Sequence, residues 1–530
     1  MVRLTIDQKE VEVPAGTTIM DAAAACGISI PSMCFQRGFS NHPSCMVCLV
    51  RDVEREHLIP SCAMPAEDGM KILTDTAEVR EARRDAIELL LSDHTGDCEA
   101  PCRLACPAFM DIPLMNRLIA SGDFGAALTV VREEIALPAA LGYICPAPCE
   151  KACKRKPLGG PVSICLLKRS ATLEGLKVHP ELPPGSAGNG KRVAIIGAGP
   201  AGLSAAFFLL RSGHACTIYD RQEKPGGTLR YDIPVDRLPE NALEADIGII
   251  RNMGAEFRPG TVITGDLFRG SILPAYDAVI LATGNSGFNM AADFGLRPDE
   301  QGFFADRNTL ATSFAGVFAC GSFVREHKMA VQSAAQGKMA ASHVQSYLGT
   351  LPAGAGQDHH RRSESVTGRL SEQELQEYLK ESIPGGRIIP AEKFPNGYTA
   401  EEAMHEAKRC LRCDCRKPAS CRLRQYAREY GAMRRKFPDA ERKQLSRMVQ
   451  HDLVVFETEK CIRCGLCVEI TSRRRESLGL TFIGRGFDVR IAIPFGKTIR
   501  EGLTMAAAEC ASNCPTGALA LKDQEERLTK

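Results

Sequence analysis

The sequence lacks tryptophan, has few aromatic residues (6%) and carries a formal net charge of only +2 over 530 residues. This charge balance and the scarcity of aromatic residues argue against a general nucleic-acid binder. No apolar run approaches the roughly 18 residues of a membrane span. The N-terminus, MVRLTIDQKEVEV, alternates like a strand and does not look like a signal peptide. We therefore expect a multidomain cytoplasmic protein with no membrane insertion and no nucleic-acid partner.

Cysteine, in contrast, is abundant, with 23 residues. A long cytoplasmic chain keeps its thiols reduced, so clustered cysteines indicate metal sites rather than disulfides. They form four groups, at residues 34–62, 98–165, 410–421 and 461–514. Cys26, Cys216 and Cys320 stand alone and are expected to be small buried apolar residues.

The first group has the spacing C-x10-C-x2-C-x13-C, formed by Cys34, Cys45, Cys48 and Cys62. It lies in a segment that reads as a hairpin followed by a helix, "TTIMDAAAACG". Two cysteines on one tight loop and two from flanking loops suit a [2Fe-2S] cluster, with tetrahedral zinc as the alternative. This segment resembles the ferredoxin-like domain of the large cluster-bearing subunit of complex I and of iron-only hydrogenases. The resemblance continues into "LLLSDHTGDC" and implies that His94 ligates the next cluster; a solvated helix-end residue is the alternative.

The second group consists of two cysteine-rich turns separated by a helical stretch, which could face each other and close two [4Fe-4S] sites. It resembles the helical N-terminal domain of the glutamate synthase small subunit and of dihydropyrimidine dehydrogenase. The resemblance implies interleaved ligation, with one cluster on Cys98, Cys102, Cys153 and His94. It places the other on Cys106, Cys145 and Cys149, with Cys165 expected as fourth ligand and Lys168 or no residue as alternatives.

A dinucleotide-binding motif follows, in "KRVAIIGAGPAGLSAAFFLLRSGHACTIYDR". Gly197 permits the tight turn, Gly199 lets the backbone approach a pyrophosphate and Gly202 allows close helix packing. The helix N-terminus favours the phosphate charge. Asp220 ends the second strand, where it can accept from a ribose hydroxyl.

The segments around this motif, "EKPGGTLRYDIPVDRLP", "DAVILATG" and "GVFACGS", again resemble the glutamate synthase small-subunit family, which binds FAD there. The resemblance assigns the following residues to the flavin: Gly197, Gly199, Pro200, Ala201, Gly202, Asp220, Arg221, Gly227, Leu229, Arg237, Thr283, Gly284, Gly321 and Ser322. Ser322 departs from the family, which usually has Asp at this position to hold the ribityl chain. A second departure is that only about 30 residues, read as a short hairpin, separate Gly284 from Gly316, where the family inserts an NAD(P)H-binding domain.

The third group contains four cysteines within twelve residues, Cys410, Cys413, Cys415 and Cys421, which suit one metal centre, Fe–S or zinc. The neighbouring groups favour Fe–S. The preceding stretch, residues 350–400, is polar and contains proline and glycine, so we interpret it as a linker, with His359 and His360 solvated.

The fourth group begins as a bacterial ferredoxin motif, with Cys461, Cys464 and Cys467, and its remote fourth ligand is Cys514, followed by proline. These four residues predict one [4Fe-4S] cluster. Thr471, Thr504 and Ala507 occupy positions where a second cluster would need cysteine, which leaves Cys510 a relic. The basic residues dense from Arg409 to Arg447 can stabilise clusters that carry negative charge.

The sequence thus predicts a multidomain α/β and α+β protein. The expected parts are a β-grasp [2Fe-2S] ferredoxin-like domain (1–95), a helical domain with two [4Fe-4S] sites (96–175), an FAD-binding Rossmann-like domain (190–349), the linker (350–400), a Cys-rich helical segment (401–435) and a ferredoxin-like module (450–530). The expected cofactors are one [2Fe-2S] cluster, three to four [4Fe-4S] clusters and FAD.

The expected function is that of an electron-transferring oxidoreductase subunit of a multi-subunit enzyme, including the electron-bifurcating type. Because the NAD(P)H domain is missing, we expect an NADH-oxidising FMN and Fe–S subunit, resembling those of complex I, as a partner, together with ferredoxin or another catalytic subunit. Two alternatives stay open. One is an NAD(P)H-dependent reductase like the glutamate synthase small subunit, and the other is an Fe–S wire with an empty flavin site.

Overall fold

The computed structural model describes residues 1–39, 42–178, 186–299, 304–351, 367–391, 396–434, 436–437 and 443–522. The chain divides into two compact units. Unit 1 comprises residues 1–98, 366–381 and 413–530, and unit 2 comprises residues 99–365 and 382–412. None of the helices among the described residues is long and apolar enough to span a membrane.

The described residues form fifteen strands and twenty-one α-helices. The strands are β1 Val2–Ile6, β2 Lys9–Val13, β3 Leu49–Asp52, β4 His57–Pro60, β5 Lys71–Leu73, β6 Arg192–Ile196, β7 Ala215–Tyr219, β8 Glu256–Arg258, β9 Ala278–Leu281, β10 Val317–Ala319, β11 Arg447–Met448, β12 Val454–Glu457, β13 Thr481–Ile483, β14 Arg490–Ala492 and β15 Leu519–Leu521. The helices are α1 Ile19–Ala25, α2 Ala77–Asp93, α3 Pro101–Ala105, α4 Ile112–Ala120, α5 Phe124–Glu134, α6 Pro138–Ile144, α7 Pro148–Lys151, α8 Ile164–Val178, α9 Pro200–Arg211, α10 Thr228–Tyr231, α11 Glu240–Asn252, α12 Gly265–Leu267, α13 Leu273–Ala275, α14 Gly287–Phe294, α15 Ala330–Tyr347, α16 Glu372–Leu379, α17 Ala400–Ala407, α18 Arg422–Glu429, α19 Leu466–Arg473, α20 Ile499–Gly502 and α21 Ala507–Asn513.

The N-terminal part of unit 1 is a five-stranded sheet in the order β2-β1-β5-β3-β4. The predicted hairpin is confirmed: β1 and β2 pair antiparallel, and Asp7 and Gln8 turn the chain with positive φ angles of 46° and 70°. The predicted helix is also confirmed as α1, whose first turn is capped by the Thr18 side chain, which accepts from the Asp21 N–H. Alternating residues such as Leu4 and Ile6 face the core under this helix.

Helix α2 leads from this sheet toward the next cysteines. Thr76 caps its N-terminus, and the helix buries Ile87 and Leu91 on one face. Arg83 is buried as well and donates from both Nε (3.0 Å) and Nη2 (2.8 Å) to the Leu49 carbonyl on β3. The helix ends at Asp93, and His94 is its C-cap. The end of α2 therefore sets the position of His94, four residues before Cys98.

The C-terminal part of unit 1 has a three-stranded sheet, β11-β12-β15, and a two-stranded sheet, β13-β14. Helices α19 and α21 share a buried core with these sheets that includes Phe456, Ile470 and Leu519. The cysteines of the fourth group lie at the ends of these elements, as expected for a ferredoxin-like module.

Unit 2 combines helices α3–α8 with a parallel sheet in the order β10-β9-β6-β7-β8. Helix α15 packs closely on α9, because a Cβ on Gly337 would lie 2.1 Å from the Ala201 carbonyl oxygen. A single apolar core runs through the unit, from Ala108 to Ala407. The helical domain and the Rossmann-like sheet predicted from the sequence are both present.

The stretch predicted as a linker differs from that prediction. It contains helix α16, whose N-terminus is closed by a capping box between Ser371 and Glu374 and which buries Leu375 and Tyr378. Residues 352–366, with His359 and His360, and residues 392–395 lie outside the described residues. Of the predicted hairpin between Gly284 and Gly316, residues 300–303 are also outside; the described part contains α14 and an antiparallel bridge between Ala305 and Thr312.

Candidate cofactor sites

The four cysteines of the first group come together in unit 1. The Sγ atoms of Cys34 and Cys45 are 3.4 Å apart, and side-chain hydrogen bonds also link Cys62 to Cys34 and to Cys48. All four thiols are buried. The hydrogen bond from Cys62 lowers the pKa of Cys48 to about 7. These contacts join all four thiols in the order Cys45, Cys34, Cys62, Cys48, and four thiols gathered in one place fit a [2Fe-2S] cluster.

Across the described part of the chain, no three His, Cys, Asp or Glu side chains surround one point in the way that ligands of a single metal ion do. Thiolates that bind different irons of a cluster stand further apart than ligands of one ion. The groups below are therefore identified by shared burial, hydrogen bonds and mutual electrostatic effects.

The ferredoxin-like module brings its four predicted ligands together. Burial raises the pKa of Cys464 well above its usual value, and the nearby Cys514 adds to the increase. The pKa of Cys467 is raised in the same way by burial and by the thiols of Cys461, Cys464, Cys510 and Cys514. The Arg463 N–H donates to Cys461 Sγ at 3.3 Å, and Gly465 takes the positive φ of 79° that lets α19 start beside the thiols.

The predicted vacated site is filled by other contacts. The Thr471 hydroxyl donates to the Val468 carbonyl (2.9 Å) and accepts from the Leu480 N–H (3.2 Å). The Glu476 carboxylate accepts from three successive N–H groups, of residues 504–506, at 2.6–2.8 Å, and their net effect holds its pKa below the usual value despite partial burial. A carboxylate thus organises the loop that carries Thr504.

A second set of thiols surrounds a small closed cavity in unit 2, lined by Cys106, Cys145, Cys149, Cys165 and Lys168. A hydrogen bond from Cys165 lowers the pKa of Cys145 to about 5. Lys168 is buried; burial lowers its pKa, but the four thiols outweigh that effect and raise it. Cys165 and Lys168 thus lie in the same cavity as the three thiols predicted for this site.

The remaining cysteines of the second group also have neighbours in the third group. Within unit 2, Cys153 lies near Cys410, whose thiol adds to the rise that burial causes in the pKa of Cys153. Cys102 belongs to the same unit, whereas Cys98 is the last residue of the first segment of unit 1. In unit 1, the Cys415 N–H donates to the Cys98 carbonyl at 3.4 Å.

Two buried arginines hold Cys410 beside Cys153. Arg155, two residues after Cys153, donates to the Arg409 carbonyl (2.8 Å) and to the Ser382 hydroxyl (2.6 Å). Arg409 in turn donates to the carbonyls of Gly159 (3.1 Å) and Gly160 (3.0 Å). These bonds tie the segment before Cys410 to the loop after Cys153.

His94 is buried rather than solvated. Its Nδ1 lies 3.1 Å from the Lys460 carbonyl oxygen, which can only accept, so Nδ1 carries the proton. Burial lowers the pKa of His94 to about 3, and Arg434 and Lys460 add to the effect. The imidazole is therefore neutral, with the lone pair on Nε2, as a metal ligand requires.

The glycine loop of unit 2 has the geometry of a dinucleotide site. A Cβ on Gly202 would lie 1.9 Å from the Gly197 carbonyl oxygen, and one on Gly197 would lie 2.3 Å from the Ala282 carbonyl oxygen. Gly199, in contrast, has open space, with Gly227 Cα the nearest atom at 3.9 Å. Close packing thus requires glycine at two positions, and the third leaves room beside the helix N-terminus for a phosphate.

Several other predicted flavin residues lie against this loop, namely Asp220, Gly227, Thr283 and Gly321. Asp220 accepts from the Ala198 N–H (2.6 Å) and the Gln222 N–H (2.8 Å), so its carboxylate faces the loop. Leu229 is buried, Thr283, Gly284 and Ser322 are half-buried, and Arg221 and Arg237 are exposed. The Gly321 N–H donates to Gln336 Oε1 at 2.7 Å, and His327 Nε2 lies 3.0 Å from the same oxygen. Sequence reasoning missed Gln336 and His327, because only the fold brings the helix side chain under the turn.

A cavity of about 430 Å³ in unit 2 lies between the loop around Cys106 and helix α15. One wall is formed by the loop around Cys106, including Phe109. The other is formed by His327 and by residues of α15, including Gln332 and Gln336. Cys106, one thiol of the helical domain, and helix α15 of the Rossmann-like domain therefore face one space.

Comparison with known families agrees with these parts. Residues 1–77 match a 2Fe-2S iron-sulfur cluster binding domain, residues 74–178 a dihydropyrimidine dehydrogenase domain II with a 4Fe-4S cluster, and residues 195–248 an NAD(P)-binding Rossmann-like domain. The predicted multidomain fold class, with a [2Fe-2S] domain, a helical 4Fe-4S domain and a Rossmann-like domain, is confirmed by these matches.

Three curated relatives illustrate the similarity. The chain is 36% identical over 208 residues to the NADPH-Fe(3+) oxidoreductase subunit beta of Geobacter sulfurreducens, covering 38% of this chain and 30% of that protein. It is 36% identical over 226 residues to the NAD-dependent dihydropyrimidine dehydrogenase subunit PreT of Salmonella typhimurium (42% and 53%). It is 37% identical over 193 residues to the glutamate synthase [NADPH] small chain of Mycobacterium tuberculosis (36% and 39%). The matched segments thus span about a third to a half of these relatives.

Proposed function

We propose that the chain is an electron-transferring FAD and iron–sulfur subunit of a multi-subunit oxidoreductase. The observation that carries this proposal is the cavity between the Cys106 loop and α15, because it places a cluster site and the dinucleotide domain against one space. When bound, FAD would supply the exchange between two-electron and one-electron chemistry. The protein's part is to hold the two groups within the same unit, with Lys168 balancing the charge of the thiolates.

The residues that would hold the flavin act through the backbone as much as through side chains. The space over Gly199 would receive the pyrophosphate at the start of α9, and Asp220 lies where a ribose hydroxyl could reach it. Gln336 fixes the turn at Gly321 that precedes Ser322. A serine hydroxyl there offers a weaker contact to the ribityl chain than a carboxylate would.

Unit 1 supports a relay of its own. Cys34 and Cys45 of the first site, and Cys421, belong to one buried core, against which Cys464 of the ferredoxin-like module packs. Cys34 also contributes to the raised pKa of Cys464. The [2Fe-2S] site and the C-terminal [4Fe-4S] site are therefore neighbours, as electron transfer between them requires.

The partners follow from the same proposal. The relatives are named as subunits, which supports a multi-subunit assembly. The described residues of unit 2 contain one glycine loop for a dinucleotide, and the proposed FAD would occupy it. We therefore propose that electrons from NADH enter through a separate FMN and Fe–S subunit. They would leave through ferredoxin or another catalytic subunit. An electron-bifurcating flavin belongs to this proposal as one form of it.

Flavin binding is tested by Gly199→Ala in the full chain purified without oxygen. The backbone at Gly199 (φ −79°) accepts alanine and the added Cβ meets no protein atom closer than 3.9 Å, so the fold should persist while the methyl group occupies space meant for the ligand. We expect loss of flavin with unchanged iron content. Gly248→Ala, on α11 with nothing near its Cβ, is the matched control and should retain both. Retention of full flavin by Gly199→Ala would contradict the assigned site.

The electron donor is tested by following the absorbance of the same protein after adding NADH or NADPH. A relay that depends on a partner subunit should contain FAD and not bleach with either nucleotide. Rapid bleaching by the chain alone would instead identify an NAD(P)H-dependent reductase. Clusters without flavin would support the other alternative, an Fe–S protein that conducts electrons and has an empty flavin site.

A further inference from the structure

An antiparallel hairpin of unit 1 lies against the cysteine loop of the ferredoxin-like module. Strands β13 and β14 form this hairpin, and Phe482 is paired opposite Ile491. The ring of Phe482 contacts the loop between Cys464 and Cys467, because a Cβ on Gly465 would lie 3.4 Å from its Cζ atom. The Phe482 residue is nevertheless 45% exposed. An aromatic side chain thus extends from the cysteine loop to the solvent.

A second contact ties the hairpin to the same loop. Arg463 belongs to the cysteine loop, and its Nη1 donates to the Val489 carbonyl of the hairpin at 3.3 Å. The turn of the hairpin is tight, since a Cβ on Gly484 would lie 2.4 Å from the Asp488 carbonyl oxygen. These contacts hold the hairpin beside the loop that carries three of the four predicted ligands of this cluster.

The segment that contains this hairpin is strongly basic. Residues 472–500 include seven arginine and lysine residues and two acidic residues, although the whole chain has a formal net charge of only +2. Four of the seven basic side chains form ion pairs within unit 1, namely Arg473 with Glu469, Arg474 with Glu509, Lys497 with Glu501 and Arg500 with Asp452. The other three, Arg475, Arg485 and Arg490, are exposed, and no carboxylate in the described part of the chain pairs with them.

The three unpaired arginines belong to the hairpin that carries Phe482 or to the segment leading into it. Arg490 is paired opposite Ile483 in the hairpin, and Arg485 lies in the hairpin turn. Arg475 lies between α19 and β13. Because no carboxylate of the described residues offsets these three charges, they are available to a negatively charged partner.

A second exposed aromatic residue follows the hairpin. Phe495 lies three residues after β14 and is 88% exposed. Its backbone is in the left-handed region (φ 58°, ψ 23°), which is unfavourable for a residue with a Cβ atom, and a ring in solvent gains nothing from burial. Apolar rings together with surrounding charged residues are typical of a protein–protein interface. A nucleic-acid-binding surface is more uniformly polar.

We propose that the β13–β14 hairpin, with Arg475 and Phe495, is the docking surface for an acidic one-electron carrier protein that exchanges electrons with the cluster of the ferredoxin-like module. This inference rests on the proposed function and names where the carrier binds. One electron leaves the reduced cluster and reduces the iron–sulfur centre of the carrier, and no bond forms or breaks. Carboxylates of the carrier face the three arginines, and its apolar centre covers Phe482 and Phe495. Interfaces between electron-transfer proteins are small, and charge complementarity makes their association fast.

The first test follows electron transfer from the reduced, cluster-loaded full chain to an oxidised acidic [2Fe-2S] ferredoxin, by stopped-flow absorbance without oxygen. For the unmodified chain, the second-order rate constant should fall about tenfold when the salt concentration rises from about 20 to about 300 mM. Arg485→Glu and Arg490→Glu should each lower the rate constant at low salt roughly three- to tenfold and weaken its salt dependence. Their iron content should not change, because neither side chain has a partner among the described residues.

The matched control is Arg3→Glu, which makes the same change of charge at an exposed position on β1. It should keep the rate constant of the unmodified chain. Equal rate constants in Arg3→Glu and Arg490→Glu would overturn the docking surface and leave the proposed function intact. Absence of electron transfer from the unmodified chain would contradict the proposed function and, with it, the surface. Phe495→Ser should raise the half-saturating ferredoxin concentration about fivefold, and an unchanged value would contradict the apolar part of the interface.

A second measurement reports binding without electron transfer. Arg490→Lys keeps the positive charge and introduces an amine that a carbodiimide joins directly to a carboxylate in contact with it. Peptide mapping should find a cross-link between position 490 and the same ferredoxin at low salt and not at high salt, whereas Arg3→Lys should give none. Absence of the cross-link would overturn the proposal. Binding of a single-stranded oligonucleotide that Arg490→Glu abolishes, with an unchanged rate of electron transfer to ferredoxin, would assign the surface to nucleic acid instead.

Discussion

The buried ion pair between Arg409 and Glu406 in unit 2 offers the most quantitative prediction. The Arg409 Nη1 and Glu406 Oε1 atoms are 2.6 Å apart, and neither side chain is exposed to solvent. Oε1 of Glu406 also accepts from the Ser163 N–H and Oε2 from the Ile388 N–H, both at 2.9 Å. The pair therefore joins helix α17 to the start of α8 and to the segment that precedes α17.

Arg409→Ala would leave the Glu406 carboxylate buried without its cation. Breaking such a pair by removing one partner costs about 3–5 kcal/mol. With about 2–4 °C of melting temperature per kcal/mol for a large domain, we expect a fall of roughly 6–20 °C in the unfolding temperature of unit 2. Cys410 follows Arg409 directly and lies near Cys153. We therefore expect the electron paramagnetic resonance signal that is lost in Cys153→Ser to weaken in Arg409→Ala as well.

The assay is differential scanning calorimetry of the cluster-loaded protein without oxygen, with the reduced protein examined by electron paramagnetic resonance. Lys177→Ala is the matched control, because its pair with Glu174 (2.8 Å) is exposed and such pairs contribute about 0–1 kcal/mol. A fall for Arg409→Ala no larger than that of the control would refute the reasoning that the buried pair holds this part of unit 2 together.

Three further predictions concern single side chains. Burial raises the pKa of Asp246 to about 7, so folding favours its protonated form. Its contribution to the free energy of unfolding is therefore complete below about pH 4 and is lost as the pH rises to 7. The loss amounts to about 4 kcal/mol. The unfolding temperature should fall between pH 5.5 and 8 in the wild type and much less in Asp246→Asn, and equal slopes would contradict this. Cys510→Ala should keep the full iron content, whereas Cys514→Ala should lose about four irons; a loss in the first variant would make Cys510 a ligand. Ser322→Asp should tighten flavin binding about fivefold in a fluorescence titration, since a charged acceptor adds about 1 kcal/mol to a hydrogen bond, and weaker binding would mean that Ser322 does not face the ribityl chain.

Local patterns were enough to predict much of the fold. The alternation in residues 2–13 and the small residues after Thr18 predicted β1, β2 and α1, because each depends on contacts a few residues apart. The glycine motif likewise predicted the strand, turn and helix around Gly197. Helix α16 was missed, because its polar surface resembles a linker and its stability comes from burying Leu375 and Tyr378.

The sequence by itself determined which residues can bind iron and where a dinucleotide can approach the backbone, because thiolate chemistry and glycine sterics are properties of short segments. Only the tertiary structure decided which thiols share a site. Cys98 lies four residues before Cys102, which belongs to helix α3, yet its carbonyl accepts from the N–H of Cys415. Spacing along the chain cannot show this, since the proximity of these two segments is set by the packing of unit 1 and not by their separation in sequence.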